Sequence, residues 1–505
     1  MKKILLLPVL FFTTILAAQA PSVLWQRSIG GSGSEEPKCV KQTSDGGYVM
    51  IGRTSSNDAF ITGYHGGPND WWVVKLSDLG VFQWQRALGG TGIECANSIQ
   101  QTTDGGFIVA GYTFSNDGDV TGNHGGADAW VVKLANSGAI EWQKTLGGNL
   151  DDRAESIQQT VDGGYIVVAS TNSTNGDITT AHGGYDALVV KLSALGAIEW
   201  KKTYGQTGSD LPTCIRQTND GGYILAGYTD AEFDLTKTDF WVLKLTNSGI
   251  TEWEKNPGNA FDDRANSIEQ TLDGGYILAG DTYPSDQDAE GNPVHRDFLV
   301  MKISTSGAIE WQKSAGGIGD EIAYCVQQTA NGEYVVAGVS YSNENNDPNH
   351  GNGEAWIVKL TGSGDLKWQK PIGGTNYDMA NSVQQTADGG YIISAYTNSH
   401  DGDVPANYPG YDFWILKLEA DPLATNTFRS QVFKLAPNPT NQILGIQNPG
   451  NQSIEKITIS DLTGKALIEK SRNVSRIDVQ HLQQGIYSIQ IQSQGKVSIQ
   501  KFIKQ

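Results

Sequence analysis

Acidic residues and histidines recur in one variable loop of this 505-residue chain, and both residue types bind metal ions. Three segments place a glycine next to one or two aspartates: Asn116-Asp117-Gly118-Asp119, Asn175-Gly176-Asp177 and Asp401-Gly402-Asp403. A loop of this composition can bring oxygen ligands around Ca²⁺. The same residues also form tight turns, and the full twelve-residue calcium loop with its terminal glutamate is absent. Calcium binding and turn formation are therefore both open for Asp117, Asp119, Asp401 and Asp403.

Six of the seven histidines fall in the same variable loop. His-Gly-Gly recurs at His65, His124 and His182, which favours a histidine that shapes the loop over a zinc ligand, because zinc needs several converging ligands. The candidate binding residues on the variable-loop face are Asp117, Asp119, His124, Asp177, His182, Asp401 and Asp403.

A further acid follows a Gly-Gly or equivalent pair in every repeat, at Glu35, Glu94, Asp152, Asp210, Asp263, Glu321 and Asp378. Such acids would either collect a cation or accept hydrogen bonds from backbone amides. A pair of carboxylates ~5 to 10 Å apart would also suit a glycosidase, although a ring of acids makes such pairs by chance. The sequence contains no G-x-S-x-G, H-E-x-x-H or phosphate-binding glycine loop, so it assigns no catalytic residue.

A sevenfold repeat positions these residues, and its tryptophan returns every 53 to 59 residues at Trp25, Trp84, Trp142, Trp200, Trp253, Trp311 and Trp368. Each repeat predicts four strands, with a T-x-D-G-G hairpin between the first two and the variable loop between the second and third. A fixed period of this length, built from short strands, predicts an all-β, seven-bladed propeller with four-stranded blades over residues 21–420.

The phase of the repeat predicts how the ring closes. The first unit is a lone fourth strand around Trp25, and the last unit stops after the third strand of its blade, at residues 412–420. The N-terminal strand should therefore dock on the outer edge of the last blade and cover an exposed sheet edge.

Residues present in every repeat are expected to serve the scaffold, because a ligand site breaks the symmetry. The strand-one glutamine is predicted to bond backbone between blades, and the tryptophans are predicted to pack between them. Three of the four cysteines, Cys39, Cys214 and Cys325, share a column with serine, which favours a small buried residue over a disulfide across the ring.

Residues 1–20 carry Lys2 and Lys3, an apolar run and a small-residue end, the pattern of a signal peptide. No later stretch approaches the ~20 apolar residues of a membrane-spanning helix, so no transmembrane segment is predicted. The net charge is −19, with the acids concentrated in the repeats, which disfavours nucleic acid and anionic membranes as partners.

Residues 433–505 differ from the repeats, since they lack tryptophan and cysteine, are basic, and contain short alternating strands such as KITISDL. They predict a separate small β-sandwich. Residues 421–432 lack both patterns and are predicted to be a linker.

The tail closely resembles the C-terminal sorting domain of type IX secretion system cargo in the Bacteroidetes, with its motif at Pro437, Asn438, Pro439, Asp461, Gly464, Lys465, Gly485 and Tyr487. The resemblance implies an immunoglobulin-like sandwich, the type IX secretion machinery as partner through residues 433–505, and release or attachment at the cell surface. The repeats resemble propeller repeats common in secreted bacterial proteins, which share no single activity.

The sequence favours a non-catalytic binding or adhesion module with an extracellular glycan or protein ligand. The loops of blades 4, 5 and 6 depart most from the repeat and are expected to carry contacts. A secreted hydrolase or lyase acting on polysaccharide and a calcium-stiffened structural protein are the alternatives.

Overall fold

The computed structural model describes residues 19–178, 180–230, 238–258, 262–283, 295–317, 319–342, 352–405, 408–422, 434–447, 453–461, 465–471, 474–493 and 496–505. Within these ranges every regular element is a β-strand. The chain divides into two compact units, Met1–Asp421 and Pro422–Gln505.

Hairpins between the first two strands, Asp-Gly-Gly in six repeats and Asn-Gly-Glu in the sixth, set the register of each sheet. In the first hairpin the Thr43 amide donates to the Gly47 carbonyl over 2.8 Å, and Asp45 Oδ1 accepts from the Gly47 amide over 2.9 Å. Gly46 adopts a φ of 82°, which residues with a side chain rarely occupy. The turn therefore aligns Gln42 with Tyr48 and so fixes which residues of the two strands face each other.

The first unit contains seven four-stranded antiparallel sheets, numbered 1 to 7 along the chain. Their first strands are β2 Glu35–Gln42, β6 Glu94–Gln101, β10 Asp152–Gln159, β14 Ser209–Gln217, β18 Asp263–Gln270, β22 Glu321–Gln328 and β26 Asp378–Gln385. Their second strands are β3 Tyr48–Thr54, β7 Phe107–Thr113, β11 Tyr165–Thr171, β15 Tyr223–Asp230, β19 Tyr276–Thr282, β23 Tyr334–Ser340 and β27 Tyr391–Thr397.

The third and fourth strands complete each sheet. The third strands are β4 Asp70–Leu76, β8 Asp128–Leu134, β12 Asp186–Leu192, β16 Asp239–Leu245, β20 Asp297–Ile303, β24 Glu354–Leu360 and β28 Asp412–Leu418. The fourth strands of sheets 1 to 6 are β5 Phe82–Leu88, β9 Ile140–Leu146, β13 Ile198–Tyr204, β17 Thr251–Lys255, β21 Ile309–Ala315 and β25 Leu366–Ile372.

The fourth strand of sheet 7 comes from the opposite end of the repeats. Strand β1, Val23–Ile29, pairs antiparallel with β28, with Gln26 opposite Leu416. The predicted docking of the Trp25 strand on the last sheet is confirmed.

The apolar core lies between the sheets. Seven clusters of buried side chains are each shared by two successive sheets, and the seventh joins Ile392, Phe413 and Ile415 of sheet 7 to Val40 and Trp72 of sheet 1. The first strands of successive sheets also contact one another in cyclic order. The sheets therefore form a closed ring of β-propeller type around a central channel.

Two columns serve the scaffold as predicted. Fourth-strand tryptophans pack on the next sheet, as Trp84 does on Phe107 at a ring-centroid distance of 5.8 Å. Strand-end glutamines accept backbone hydrogen bonds from the preceding sheet, as Gln101 Oε1 does from the Ser44 amide at 2.7 Å. All four cysteines are free, and Cys214 Sγ donates to the Ile268 carbonyl of the next sheet.

The second unit contains two antiparallel sheets. One is formed by β29 Lys434–Ala436, β30 Ile443–Gln447 and β33 Arg476–Asp478, and the other by β31 Ile454–Ser460, β32 Ala466–Ser471, β34 Gly485–Ser493 and β35 Lys496–Lys504. Side chains of both sheets, including Leu444, Ile477, Ile457 and Ile489, share one buried cluster. The tail therefore has its own core.

Candidate binding site

The acids at the start of the first strands cap backbone amides. Each is buried, and in six sheets its carboxylate accepts a hydrogen bond from the amide four residues earlier; Glu35 accepts from Gly31 at 2.8 Å and Asp152 from Gly148 at 2.7 Å. The capping interpretation is confirmed for these six sheets. Asp263 is equally buried, and the residue four positions before it lies outside the described ranges.

Sequence reasoning missed a second acid at the junctions between sheets, which is buried in sheets 1, 2, 3, 6 and 7 and half-buried in sheets 4 and 5. It is the first residue of each third strand: Asp70, Asp128, Asp186, Asp239, Asp297, Glu354 and Asp412. Asp412 Oδ1 and Glu35 Oε2 both lie against Gly30, where any Cβ atom would meet them at 1.7 and 2.7 Å. The recurrence of acid and glycine at a fixed spacing was the available signal. We call these facing residues the acid pairs.

Several aspartates of the acid pairs hold their protons more tightly than ordinary carboxyl groups, among them Asp70, Asp128 and Asp412. Burial raises the pKa of Asp412 to about 7, and the charge of Glu35 adds to the increase. Burial likewise raises the pKa of Asp70 and of Asp128 to about 6. Asp412 Oδ1 accepts no hydrogen bond from the described part of the protein, which is the reason its ionised form is costly.

The His-Gly-Gly histidines are held by the acid pairs. Nδ1 of His65 lies 2.7 Å from Asp70 Oδ2, and Nδ1 of His124 lies 2.5 Å from Asp128 Oδ2. His182 is anchored through its backbone amide, which donates to Asp186 at 2.8 Å. These contacts fit the loop-shaping role inferred for the motif.

The carboxylates of the Asp-Gly loops each contact a different residue, through hydrogen bonds or an ion pair. Asp117 accepts from the amide and hydroxyl of Thr91, each at 2.8 Å, and Asp401 accepts from Thr375 in the same way at 2.8 and 2.9 Å. Asp177 pairs with the Lys201 ammonium group at 2.7 Å.

The second aspartate of each Asp-Gly-Asp segment faces elsewhere. Asp119 lies 3.5 Å from Arg86 and 3.5 Å from His65 Nε2, whereas Asp403 uses its backbone carbonyl to accept from Gln26 at 2.7 Å. Within the described ranges no three His, Cys, Asp or Glu side chains converge as metal ligands. The calcium hypothesis stays a prediction.

The long loops of sheets 4, 5 and 6 fall mainly at 231–237, 284–294 and 343–351, outside the described residues, and His350 lies there too. At the edge of this region, His295 Nδ1 lies 3.3 Å from Asp320. The contacts expected of these loops stay predictions.

The side chains around the channel mouth on the variable-loop face differ in every sheet. The residue after each capping acid is Glu36, Cys95, Arg153, Leu211, Arg264, Ile322 or Met379. Opposite it on the second strand stands Arg53, Tyr112, Ser170, Tyr228, Asp281, Val339 or Tyr396. The positions that pack the scaffold hold the same residue types in successive sheets, whereas these two positions do not. The sevenfold symmetry is therefore lost at the channel mouth.

One side of this mouth is a cluster of four tyrosines, which we call the tyrosine cluster: Tyr341, Tyr377, Tyr396 and Tyr411. The hydroxyl groups of Tyr341 and Tyr377 lie 2.6 Å apart. Tyr396 lies 5.6 Å from Tyr377 and 5.4 Å from Tyr411 between ring centroids. The cluster joins sheets 6 and 7 and presents several rings and hydroxyl groups together.

The neighbouring part of the mouth, at sheets 4 and 5, combines guanidinium groups with tyrosines and acids. Arg264 lies over the Tyr228 ring at 5.4 Å from the centroid. Arg296 contacts Asp262 at 3.2 Å and Asp281 at 3.3 Å. Each guanidinium is thus fixed in orientation, which prepares it for directional hydrogen bonds.

A cavity of about 200 Å³ opens into the mouth between sheets 1, 2 and 3. Its wall includes Glu36, Arg53, Arg153 and Glu155. Burial raises the pKa of Glu155 to about 7, against the charges of Lys38 and Arg153. The cavity therefore holds a carboxyl group that gains and loses its proton near neutral pH.

The sorting motif of the tail forms local contacts in the second unit. Asn438 Oδ1 accepts from the Ile503 amide at 2.9 Å, and Asp461 Oδ1 accepts from the Lys465 amide at 3.1 Å. The Tyr487 ring stacks on Phe502 at 5.7 Å, and its hydroxyl donates to the Gln483 carbonyl. Pro437 and Pro439 follow cis peptide bonds, Gly485 opens β34, and Gly464 lies outside the described residues.

Residues 434–505 match the family of the secretion system C-terminal sorting domain. This domain indicates type IX cargo that is exported across the outer membrane to the cell surface or the extracellular space. In the described part of the chain, no helix has the length and apolar character needed to cross a membrane. The chain is thus an exported β-propeller with a sorting tail.

Other comparisons concern the repeats. No curated protein matches the chain in sequence. Among solved structures, it is similar to the Neurospora crassa Pan2 WD40 domain, with 11% identity, a TM-score of 0.41, and coverage of 76% of this chain and 89% of that one. YCF48 bound to D1 peptide has 11% identity and a TM-score of 0.39, over 81% of this chain and 100% of that one.

Puromycin hydrolase is similar at 12% identity and a TM-score of 0.43, over 75% of this chain and 53% of that one, so the chain spans about half of that enzyme. Likeness at this level assigns no activity.

Proposed function

We propose that this protein is type IX cargo of a member of the Bacteroidetes and binds an extracellular glycan at the channel mouth of a seven-bladed propeller. In this proposal the seven sheets are its blades, residues 1–20 are its signal peptide, and the tail is an immunoglobulin-like sandwich. The observation that carries the binding role is the loss of symmetry at the channel mouth, where tyrosines lie beside arginines and acids.

The side chains of the mouth suit a polyhydroxylated ligand. A tyrosine offers a flat apolar face for a sugar ring and a hydroxyl group for its substituents. The fixed guanidinium and carboxylate groups of Arg264, Arg296 and Asp281 supply directional donors and acceptors. The loops that hold Asp117, Asp119, His124, Asp177, His182, Asp401 and Asp403 would form the outer rim of this site.

A glycan array followed by affinity electrophoresis tests this proposal. Wild-type protein should bind at least one extracellular polysaccharide, and Tyr377→Ala or Tyr396→Ala should weaken that binding tenfold or more. Phe60→Ala is the matched control, because Phe60 is an exposed aromatic residue outside the tyrosine cluster. Absence of any bound glycan, or equal binding by the tyrosine variants, would refute the role of the mouth.

A polysaccharide hydrolase or lyase is the second candidate, and the Glu155 carboxyl group favours it. A carboxyl with a pKa of about 7 is suited to proton transfer at neutral pH, and Glu36 supplies a second carboxylate in the same cavity. Release of new reducing ends from a bound polysaccharide would support this activity. Glu155→Gln should then abolish release while binding continues; binding without release leaves the protein a binder.

A further inference from the structure

At the end of the channel where the hairpins between first and second strands lie, one equivalent position of the seven sheets is occupied by different residue types. It is the residue before each strand-end glutamine: Lys41, Gln100, Gln158, Arg216, Glu269, Gln327 and Gln384. In five sheets this side chain accepts a hydrogen bond from the next sheet's strand-end amide, at 2.6 to 2.9 Å. The scaffold role of this position is therefore to accept an amide hydrogen.

Lys41 and Arg216 cannot perform that role, because ammonium and guanidinium groups have no acceptor atom. Each gives up one inter-sheet hydrogen bond and places a positive charge at the channel wall. Arg216 Nη1 donates to the Ile215 carbonyl at 2.8 Å and to Ser156 Oγ at 3.0 Å, which fixes the guanidinium group. Within the described residues Lys41 forms neither a side-chain hydrogen bond nor an ion pair.

Both cations line one cavity of about 590 Å³ at the turn end of the channel. Glu269 is the acid in its wall; burial raises the pKa of Glu269, while the Gln328 amide and the charges of Arg216 and Lys41 oppose the increase. The cavity therefore has a net positive charge whether or not Glu269 is ionised. The remaining wall is largely amide and hydroxyl, including Gln158, Asn219 and Thr271.

We propose that this cavity is a binding site for a small polyhydroxylated carboxylate, such as a sugar acid. Lys41 and Arg216 bind the carboxylate, since a guanidinium group matches two carboxylate oxygens and an ammonium group adds a point charge. The amides and hydroxyls of the wall bind the hydroxyl groups of the ligand. The site lies at the opposite end of the channel from the tyrosine cluster and does not depend on glycan binding there.

The chain itself supplies the variants that test this site. Lys41→Gln and Arg216→Gln introduce the glutamine found at four equivalent positions, which restores the amide acceptor, so both variants should fold at least as well as wild type. Lys255→Gln is the control, because it removes a positive charge from an exposed position on a fourth strand, outside both cavities. Titration calorimetry with glucuronate, galacturonate, glucose and inorganic phosphate gives the readout.

We expect wild type and Lys255→Gln to bind a uronate, and Lys41→Gln and Arg216→Gln each to bind it at least tenfold more weakly. Undetectable uronate binding by wild type, or unchanged binding by both ring variants, would overturn the site. Glucose bound as tightly as the uronate would overturn the role of the charges, and phosphate bound as tightly would overturn the ligand class.

Discussion

The ammonium group of Lys359 donates a 2.7 Å hydrogen bond to the hydroxyl group of Thr329, whereas the equivalent lysines of the other six sheets pair with a turn aspartate at 2.9 to 3.1 Å. The sixth hairpin has Asn331 where the others have that aspartate. Burial lowers the pKa of Lys359 to about 8, while the charges of Asp421 and Glu333 oppose the decrease.

Asn331→Asp should therefore stabilise the sixth sheet, by about 1 kcal/mol at pH 7, because buried Lys359, which lies 3.4 Å from Glu333, gains the closer pair with a turn aspartate that the other sheets have. A lysine whose folded pKa lies below its unfolded value binds fewer protons when folded, so wild-type stability should rise with pH between about 8 and the ordinary lysine value. The variant should lose that rise.

Chemical denaturation at pH 7 and pH 9.5 measures both effects. Ala387→Asp is the control, because it adds a turn charge in sheet 7, where Lys417 already has Asp388 at 2.9 Å. Equal stability of Asn331→Asp and wild type at both pH values would contradict the assignment.

Deletion of residues 23–29 should expose the edge of β28 and empty the space that Trp25 fills beside Tyr48, 5.6 Å away. We expect a loss of ~3 kcal/mol or more from the large side chain alone, with aggregation through the open edge. Leu24→Ala, at a side chain that is 56% exposed, should melt like wild type. A deletion variant with wild-type thermal melting would disprove the closure by β1.

Acidification should stabilise the ring through the acid pairs. A carboxyl group with a raised folded pKa binds more protons when folded, so its contribution to stability falls as pH rises from about 4 to its folded pKa, which is about 7 for Asp412. Asp412→Asn should increase the free energy of unfolding at pH 8 by about 1 kcal/mol or more and should reduce the pH dependence.

Denaturation at pH 5 and pH 8 measures this change. Asp78→Asn, at an exposed turn, should leave the pH dependence as in wild type. Lower stability of Asp412→Asn at pH 8 would mean that the Asp412 carboxylate is better stabilised than its surroundings indicate.

Calcium removal should leave the melting temperature of residues 21–432 unchanged. Asp117 and Asp401 already accept two hydrogen bonds each from Thr91 and Thr375. Thermal unfolding with millimolar calcium and then with chelator is the measurement. Stabilisation of ~3 kcal/mol, expected at a hundredfold excess over the dissociation constant, would instead establish the calcium hypothesis.

In a host with type IX machinery, a chain that lacks residues 434–505 should stay in the periplasm, because the sorting domain occupies those residues. Cell fractionation and immunoblotting measure its location. The control Ile443→Ser changes a half-exposed tail residue and should be exported. Appearance of the truncated chain in the medium would show that export does not need the tail.

The fold was predictable from the sequence because the same residue types recur at equivalent positions of the repeats. Trp84, Gln101 and the Asp-Gly-Gly turns recur with their partners at a constant offset, so one repeat describes the packing of all. The pairing of the N-terminal strand was predictable for the same reason, because the segment around Trp25 is a fourth strand without its own sheet and the last repeat lacks a fourth strand.

The channel mouth was not predictable in the same way, because its residues follow no column rule. Tyr341 and Tyr377 lie in successive repeats and meet only when their sheets pack side by side. An alignment of the seven repeats that sought the most varied column would have found Arg153 and Arg264.

Because β1 pairs with β28, the ring closes only in a chain that contains all the repeats. The strand that a ribosome would make first waits for the last repeat before it has a partner, and the sorting tail follows that repeat. A chain cut short within the repeats lacks both its final sheet and its sorting tail, so only chains able to close the ring carry the signal for passage across the outer membrane.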